Sequence, residues 1–385
     1  MELREIKTSN DEKQFIEMAP AIYSNIPEYI RPLDKDIKSV FDPAQNKFFR
    51  HGKAIRWILL DGQKVIGRIA AFIDEKQIKK EKKKIGGIGF FECIDNERAA
   101  THLFDQAKDW LVTQGMTGMD GPINFGERDA WWGLIVEGFD APIYRTNFNP
   151  PYYKTFFESY GFKTYFEQYC YSLNPQKDLD EKFFERHKEV NENKDFSIQC
   201  IDKNNLDKYA DDFTMIYNKA WVKHGSGKSL ETKQMRSFFK KLKPVMDGSI
   251  SFYAYYKEEP IAFFVNLPDI NQIFKKFDGK FGLLEKLRFL WMMKRRASHK
   301  MIGLVFGVIP EFQGKGVDSY LIVESSKRIK SSNQYNDFEM QWVGDFNPKM
   351  IRIAESLGTY KSRTLITYRK LFDENEPFER HPIIL

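Results

Sequence analysis

The hydrophobic pattern is most regular between residues 301 and 330, where it predicts a strand leading into a helix. Residues 301–309 (MIGLVFGVI) form an apolar run without a charge, which is typical of a strand buried on both faces. Pro310 ends this run. Helical spacing then follows at Val317, Tyr320, Leu321, Glu324 and Arg328. The pattern therefore predicts a buried strand, a turn at residues 313–318 and a helix.

The same order of predicted elements occurs twice along the chain. Each half contains an opening strand, helices, a strand hairpin, a central strand and a closing strand–helix–strand unit. Ile66 and Ile261 occupy matching points of the two hairpins, and residues 158–161 (ESYG) match residues 355–358 (ESLG) at nearly the same offset. This repeat predicts a duplicated α/β domain. We expect domains at residues 1–175 and 196–385, joined by a polar linker at 176–195.

Composition narrows the function classes. At 385 residues and 42% hydrophobic content, the chain is long and apolar enough for two globular domains. A net charge of +6 suits an anionic ligand but is too small to predict a nucleic-acid partner. Three widely spaced cysteines and scattered histidines predict no metal site. The charged N-terminus and the lack of a long apolar stretch predict a cytoplasmic protein with no integral membrane segment.

The glycine-rich turn before the helix holds the first candidate chemistry. Gly314 and Gly316 precede a helix N-terminus, where unpaired N–H groups and the helix dipole attract anions such as phosphate. A P-loop is excluded, because Gly316 rather than Ser or Thr follows Lys315. A dinucleotide-binding turn is weakly supported, because Ser319 replaces its third glycine, although Asp345 could bind a ribose. An ordinary strand-to-helix turn is a further alternative.

The turn resembles the pyrophosphate loop of the GNAT superfamily of acyl-CoA-dependent N-acyltransferases, whose pattern is Gln/Arg-x-x-Gly-x-Gly/Ala after an apolar strand. Gln313 and Gly316 match this pattern, and Asp318 departs from it at the last position. The whole chain is also similar to a bacterial family of tandem GNAT proteins, in segments 90–93, 121–125, 138–140, 149–153 and 313–318. The resemblance implies an α/β fold of two tandem GNAT-like domains, each a mixed, mostly antiparallel central sheet flanked by helices.

The resemblance also implies one acyl-CoA site, in the second half. In GNAT enzymes the central strand separates from its neighbour and binds pantetheine along its free edge, here residues 306–309. The implied cofactor-binding residues are Phe306, Val308, Gln313, Gly314, Lys315, Gly316, Val317, Asp318 and Asn347. The cosubstrate would be acetyl-CoA or another acyl-CoA, without a metal. The first half is degenerate, because residues 93–98 (CIDNER) replace the glycine loop and their acidic side chains would repel a pyrophosphate.

No catalytic residue is assigned from the sequence. Many GNAT enzymes place a general-acid Tyr four residues before the glycine that ends the last helix, and Ala354 occupies that position here. Phe157 occupies the matching position in the first half. Tyr320 and Tyr360 are other tyrosines of the second half, but the sequence gives no reason to assign either of them as the general acid. We expect the first half to shape the acceptor pocket, with packing in the core as the alternative role for its aromatic members. The candidates are Asn124, Trp132, Asn147, Tyr152 and Tyr153.

Residues 275–300 are the main insertion of the second half. This segment is basic at both ends and apolar at residues 281–293. We expect a helix docked across the two domains, with its basic ends reaching solvent. The alternative is an interfacial helix that contacts anionic lipid.

The predicted function is N-acyl transfer from acetyl-CoA or a longer acyl-CoA to a small-molecule amine. Ala354 and Asp318 leave a non-catalytic CoA- or metabolite-binding protein as the alternative, because neither residue is the usual one at its position. Aminoacyl transfer from a carrier is a third possibility, since tandem GNAT-like folds host that chemistry as well. The fold alone does not choose between these functions.

Overall fold

The computed structural model describes residues 1–80, 83–220 and 229–384. Within them, fourteen strands form one continuous sheet. The strands are β1 (Glu2–Glu5), β2 (Gly52–Asp61), β3 (Lys64–Asp74), β4 (Ile85–Cys93), β5 (Gly118–Gly121), β6 (Leu134–Glu137), β7 (Lys163–Leu173), β8 (Phe196–Cys200), β9 (Phe252–Tyr256), β10 (Glu259–Pro268), β11 (Lys300–Val308), β12 (Asp337–Met340), β13 (Val343–Gly344) and β14 (Tyr360–Leu371). The helices are α1 (Ser9–Ile22), α2 (Asp34–Val40), α3 (Glu75–Ile78), α4 (Glu97–Thr113), α5 (Tyr153–Ser159), α6 (Glu181–Asn191), α7 (Leu206–Ala220), α8 (Thr232–Leu242), α9 (Asn271–Phe274), α10 (Leu283–Lys294), α11 (Val317–Ser332) and α12 (Pro348–Ser356).

Local sequence signals account for several of these elements. The predicted hairpins are β2–β3 and β9–β10, both antiparallel. Asn96 begins α4 by accepting a hydrogen bond from the backbone N–H of Ala99, as its position before an apolar-periodic segment predicts. At α1, Thr8 is the N-cap and Asp11 completes a capping box with it.

The two halves of the sequence exchange their last strands in the sheet. The order is β1-β2-β3-β4-β5-β14-β7-β12-β11-β10-β9-β8. Strand β14, from the end of the chain, therefore lies between β5 and β7, and β7 lies next to β12. The long antiparallel β7–β14 pair forms the centre of the sheet. The predicted domain ranges describe the repeat in the sequence, whereas the strands of both ranges alternate at this centre.

Separate hydrophobic cores lie in the two halves, and a smaller core joins them. The first-half cores contain α1 and α4 against β2–β4. The second-half core contains α7 and α11 against β9–β11. The joining core packs Leu33 of the first half against side chains of α9, α10 and their connection: Ile273, Phe274, Phe277, Phe289 and Met292. The insertion at 275–300 therefore contacts both halves, as expected from its sequence.

The predicted linker contains a helix, α6, that its polar sequence did not indicate. Helix α6 buries Phe183, His187 and Val190, which follow i, i+4, i+7 spacing. The His187 ring hydrogen-bonds to Glu324 of α11 at 2.8 Å and stacks on Tyr320. The linker is thus packed along α11 rather than extended through solvent.

Candidate functional site

The candidate site lies where β11 separates from β12. Their parallel pairing ends at Gly303 and Met340, and the backbone N–H of Gln341 still donates to the carbonyl of Gly303 at 3.1 Å. After β12 the chain leaves β11, and the next strand, β13, pairs with β7 instead. Strand β11 continues against β10 as far as Val308. The edge of β11 from residue 304 onwards therefore faces an opening rather than a strand.

This opening is a cleft of about 840 Å³. Its walls are β11, the cleft-facing side of α11, the β12–β13 segment, α12 and the chain that leaves β7. The lining is mainly apolar and includes Leu304, Phe306, Ile322, Ile329, Phe338, Met340, Trp342, Met350, Ile353 and Leu357. Gln176 fixes the chain after β7 over the cleft by donating to the carbonyl of Tyr335 at 2.6 Å. The geometry suits a long, largely apolar ligand.

The glycine turn lies at the N-terminus of α11, outside the lining of this cleft. Gly314 and Gly316 have φ angles of 73° and 78°, so both positions favour glycine. The Gln313 side chain donates to the carbonyl of Val308 at 2.9 Å, which ties the turn to the end of β11. Lys315 is exposed, and Val317 is fully buried.

Gly316 is covered by α6, which gives it a structural role that the sequence did not reveal. A Cβ at this position would lie 2.9 Å from the carbonyl oxygen of Arg186 and 3.2 Å from Val190. At Gly314 a Cβ would meet nothing within 4 Å. Glycine is therefore required at 316 both by the backbone angle and by the close approach of α6, whereas at 314 it is required by the backbone angle alone.

The predicted cofactor residues divide into two groups. Phe306 and Asn347 line the cleft, while Val308, Gln313, Gly314, Lys315, Gly316, Val317 and Asp318 do not. Asp318 stands one helical turn before Ile322 and seven residues before Ser325, both of which line the cleft, so it belongs to the cleft-facing row of α11. The side chain of Asn347 accepts a hydrogen bond from the N–H of Met350 and caps α12.

The position at which many GNAT enzymes place a general-acid tyrosine holds no tyrosine here. Ala354 is fully buried. Tyr320 faces α6 through its contact with His187, on the side of α11 opposite to the cleft. Tyr360 lines the cleft, and its side chain is 62% exposed. No group of three or more His, Cys, Asp or Glu side chains suited to a metal occurs in the described part of the chain.

A buried ionic cluster next to the β11–β12 pair was not predicted. Lys300 contacts Glu339 at 2.5 Å and Asp337 at 3.2 Å, and Arg363 approaches Glu339 at 3.8 Å. Burial alone would lower the pKa of Lys300, but the carboxylates of Glu339 and Asp337 outweigh it and raise that pKa. Burial also raises the pKa of the nearby Asp269 to about 7. These residues lie far apart in sequence, so only the fold brings them together.

The first half repeats the strand separation, but its interior is filled. The β4–β5 pairing ends at Gly87 and Asp120. Beyond it, the buried Glu92 accepts hydrogen bonds from Tyr23 at 2.5 Å and Tyr153 at 2.9 Å and pairs with Arg68. The cavity beside this cluster measures about 60 Å³, too small for a cosubstrate.

The five residues predicted to shape an acceptor pocket do not share one cavity. Asn147 and Tyr153 line the cavity of about 60 Å³. Asn124 and Trp132 line another, of about 30 Å³. Tyr152 lines neither, and its hydroxyl donates to the carbonyl of Cys93 at 3.0 Å. The structure therefore brings these residues together in pairs at most.

Comparison with known proteins gives no matching family model for this chain. The chain is 25% identical over 370 residues to a protein of Caulobacter vibrioides named bacterial ceramide synthase, covering 95% of this chain and 96% of that protein. It is 23% identical over 383 residues to Protein YghO of Escherichia coli, with 96% and 95% covered. Among solved structures, a tandem GNAT protein from the clavulanic acid biosynthesis pathway matches with a TM-score of 0.54 and 9% identity, over 97% of this chain and 99% of that one. The chain has the tandem GNAT fold.

The tandem GNAT fold accounts for the pair of separating strands, one in each half. The predicted fold class is confirmed, and it explains why the same hairpin and strand–helix–strand order occurs twice. The halves nevertheless differ at the separation, because the first is closed by the cluster around Glu92 and the second is open. A sequence signal for this difference exists in retrospect. Glu92 is a carboxylate within the otherwise uncharged segment 85–94 (IGGIGFFECI), where a buried hydrogen-bonded cluster is the usual explanation.

Proposed function

We propose that this protein is an N-acyltransferase that transfers a long acyl group from acyl-CoA to the amine nitrogen of a lipid-like acceptor. The apolar face of α12 carries the proposal. Met350, Ile353 and Leu357 follow i, i+3, i+7 spacing, which normally faces a protein core. In α12 only Ala354 is buried, and the three apolar side chains line the cleft. An apolar ligand would complete the burial of this face.

Facing side chains extend the same argument to α11. Ile322, which is half-buried, lines the opposite wall, and the half-buried Phe306 lines the floor on β11. A cleft of about 840 Å³ with these walls is larger than an acetyl group needs. The name of the Caulobacter relative supports the same class of reaction, because a ceramide is the amide of a fatty acid and a long-chain amino alcohol.

The donor would lie with its pantetheine arm along the free edge of β11, as the GNAT resemblance implies. The pyrophosphate would then meet the N-terminus of α11 at Gly314 and Lys315, which are open to solvent. Phe306, Val308 and Asn347 would contact the arm near the separation of the strands. The acceptor nitrogen attacks the thioester carbonyl, the C–N bond forms as the C–S bond breaks, and the proton lost by the nitrogen goes to the departing thiolate.

Calorimetric titration with CoA, acetyl-CoA and palmitoyl-CoA tests the donor class. We expect palmitoyl-CoA to bind at least tenfold more tightly than acetyl-CoA, because each buried methylene contributes about 0.8 kcal/mol. Ser326→Trp should weaken this binding, since Ser326 lines the cleft and a bulky ring would fill it. Ser331→Trp is the matched control, because Ser331 is exposed on the same helix. Equal affinity for the two donors would contradict a long-chain site.

Product analysis by mass spectrometry tests the reaction itself. The purified protein is incubated with palmitoyl-CoA and a long-chain amine such as sphinganine, and the amide is sought. Formation of the amide by wild type and by Ser331→Trp, with loss in Ser326→Trp, is the expected outcome.

A non-catalytic acyl-CoA-binding protein is the second candidate function. The fully buried Ala354 favours it, because no hydroxyl can donate a proton to the thiolate from that position. Tight palmitoyl-CoA binding without transfer to primary amines of several chain lengths would support this candidate over the first.

A further inference from the structure

Helix α10 has two apolar faces, and only one of them is packed. Phe289 and Met292 point inwards, 5% and 3% exposed, and join the small core that links the two halves. The opposite face carries five large apolar side chains that are between 50% and 77% exposed. These are Leu283, Leu284, Leu287, Leu290 and Trp291. They are five of the twelve large hydrophobic side chains exposed in the described part of the chain, and no other helix there carries more than one.

The outer side chains form one continuous stripe. Their spacing of three, four and seven residues places them on the same side of the helix, opposite Phe289 and Met292. The twelve residues of α10 span about 18 Å. Exposed patches of this kind mark interaction surfaces, because scattered single leucines are common but a row of them is not.

Basic residues border this stripe on both sides. Lys286 lies along one side, and Arg288 and Arg295 lie along the other, all exposed. Lys294 closes the C-terminal end of the stripe. The one acidic residue of α10, Glu285, is engaged locally by accepting a hydrogen bond from the N–H of Gly282 at 2.8 Å. The rim of the apolar stripe is therefore positively charged.

The segment that carries α10 is fastened firmly to the first half. Lys275 donates to the carbonyl of Pro27 at 2.8 Å, and the N–H of Asp34 donates to the carbonyl of Gly279 at 2.9 Å. Lys35 also lies over the ring of Phe281 at 4.0 Å. Since the inner face is already packed, no small movement of α10 would bury the outer stripe without exposing the inner one.

We propose that the outer face of α10 binds the surface of a membrane that contains anionic phospholipid. The apolar stripe would enter the acyl-chain boundary while the flanking Lys and Arg side chains reach the phosphate groups. At about 18 Å the helix is too short to cross a hydrocarbon layer of about 30 Å, so it lies along the surface. No helix in the described residues is long and apolar enough to span a bilayer.

The charge distribution favours a membrane over a second copy of the chain. A symmetric dimer through this stripe would bring the basic rims of two α10 helices together without acidic partners. An anionic bilayer supplies the opposite charge along the whole rim. Helix α10 therefore joins the two halves, as expected, and also presents an apolar face outwards.

Vesicle flotation tests the proposal without any substrate, so its outcome is independent of the proposed reaction. The full-length protein is mixed with vesicles of phosphatidylcholine alone or with phosphatidylglycerol, at low and high salt. We expect the protein to bind the mixed vesicles, and to bind vesicles of phosphatidylcholine alone at least tenfold more weakly. Binding to the mixed vesicles should weaken at high salt. Leu284→Ser/Leu287→Ser/Trp291→Ser should reduce binding to the mixed vesicles at least tenfold. Val112→Ser/Phe184→Ser is the matched control, because both side chains are about half exposed elsewhere on the surface.

Two further measurements separate the alternatives. Brominated lipid should quench the fluorescence of Trp291 in wild type, and Trp291→Phe should remove that quenching. Light scattering of wild type at several concentrations gives the oligomeric state. The proposal is overturned if the triple variant floats as well as the control, if wild type does not float, or if α10 forms a dimer whose stripe excludes vesicles. A properly folded triple variant, checked by circular dichroism, keeps each outcome interpretable.

Discussion

Removal of β14 is expected to unfold the first half of the chain, although β14 belongs to the second half of the sequence. Leu365, Ile366 and Tyr368 are 1%, 7% and 1% exposed and pack among first-half side chains. Burial of three such side chains contributes about 5–9 kcal/mol. A domain's whole stability is about 5–15 kcal/mol. Loss of β14 therefore removes most or all of the free energy that stabilises the folded first half.

A buried ion pair adds to this cost. Arg369 of β14 donates two hydrogen bonds to the Asp120 carboxylate, at 2.6 and 2.8 Å. Without Arg369, Asp120 would lose this guanidinium inside the protein, which costs about 3–5 kcal/mol for a buried pair. The edges of β5 and β7 would also lose their backbone partner.

The assay compares a chain ending at residue 357 with one ending at 372, by near-ultraviolet circular dichroism and urea unfolding. The longer chain keeps β14 and should unfold cooperatively, whereas the shorter one should lack a cooperative transition. A fragment of residues 1–175 should behave like the shorter chain. Cleavage of the intact protein between Lys177 and Asp178, which are both exposed, should leave both pieces associated. A cooperative transition of the isolated 1–175 fragment, with native near-ultraviolet signal, would refute this reasoning.

Three further predictions concern single residues. Gly316→Ala should lower the free energy of unfolding by about 2–4 kcal/mol, and Gly314→Ala by only about 1 kcal/mol, in urea titrations, because only the former side chain would also collide with α6; equal losses would contradict the packing role of α6. Asp269 keeps its proton in the folded chain up to a pH of about 7 but loses it near 3.8 when unfolded, so its contribution makes the free energy of unfolding fall by up to about 4 kcal/mol as pH rises through that window. Asp269→Asn should flatten this slope in unfolding titrations from pH 4 to 8, and an unchanged slope would argue against the buried carboxyl as its source. Asp318→Asn should tighten CoA binding several-fold in calorimetry at low salt and less at high salt, because a carboxylate beside a pyrophosphate opposes binding by about 1 kcal/mol; weaker binding would instead indicate that Asp318 contacts the ligand.

The two glycines of the turn before α11 differ in what surrounds them in the fold. Both Gly314 and Gly316 precede the helix N-terminus in the sequence, and Gly316 is the one that matches the pyrophosphate-loop pattern. In the fold, Gly314 is open while Gly316 lies against the backbone of α6. Loss of CoA binding in a Gly316 variant would therefore report a displaced α6 as readily as a lost phosphate contact. Gly314 and Lys315 are the more informative positions for testing the donor site.

The sequence by itself determined most of the elements and their order, with helix α6 as the exception. Period-two and helical spacing, hairpin turns and the Asn96 and Asn347 caps are local signals, so β2–β3, β11, α4 and α12 could be predicted from them. The repeat of these elements then indicated a duplicated α/β domain, and the resemblance of the glycine turn and other segments implied the tandem GNAT fold. Such signals depend on residues that are close together in the chain, so they do not depend on how the rest of the protein folds.

Only the tertiary structure decided which strands pair at the centre and which side chains fill the first half. Strands β7 and β14 are compatible with several neighbours, and the partner is fixed by cores assembled from distant segments. The open cleft, the filled first half, the ionic cluster around Glu339 and the outward leucines of α10 likewise depend on packing between residues far apart in the sequence. The spacing of residues along a single helix or strand cannot predict these features, because each depends on surfaces of different elements that come into contact only when the chain folds.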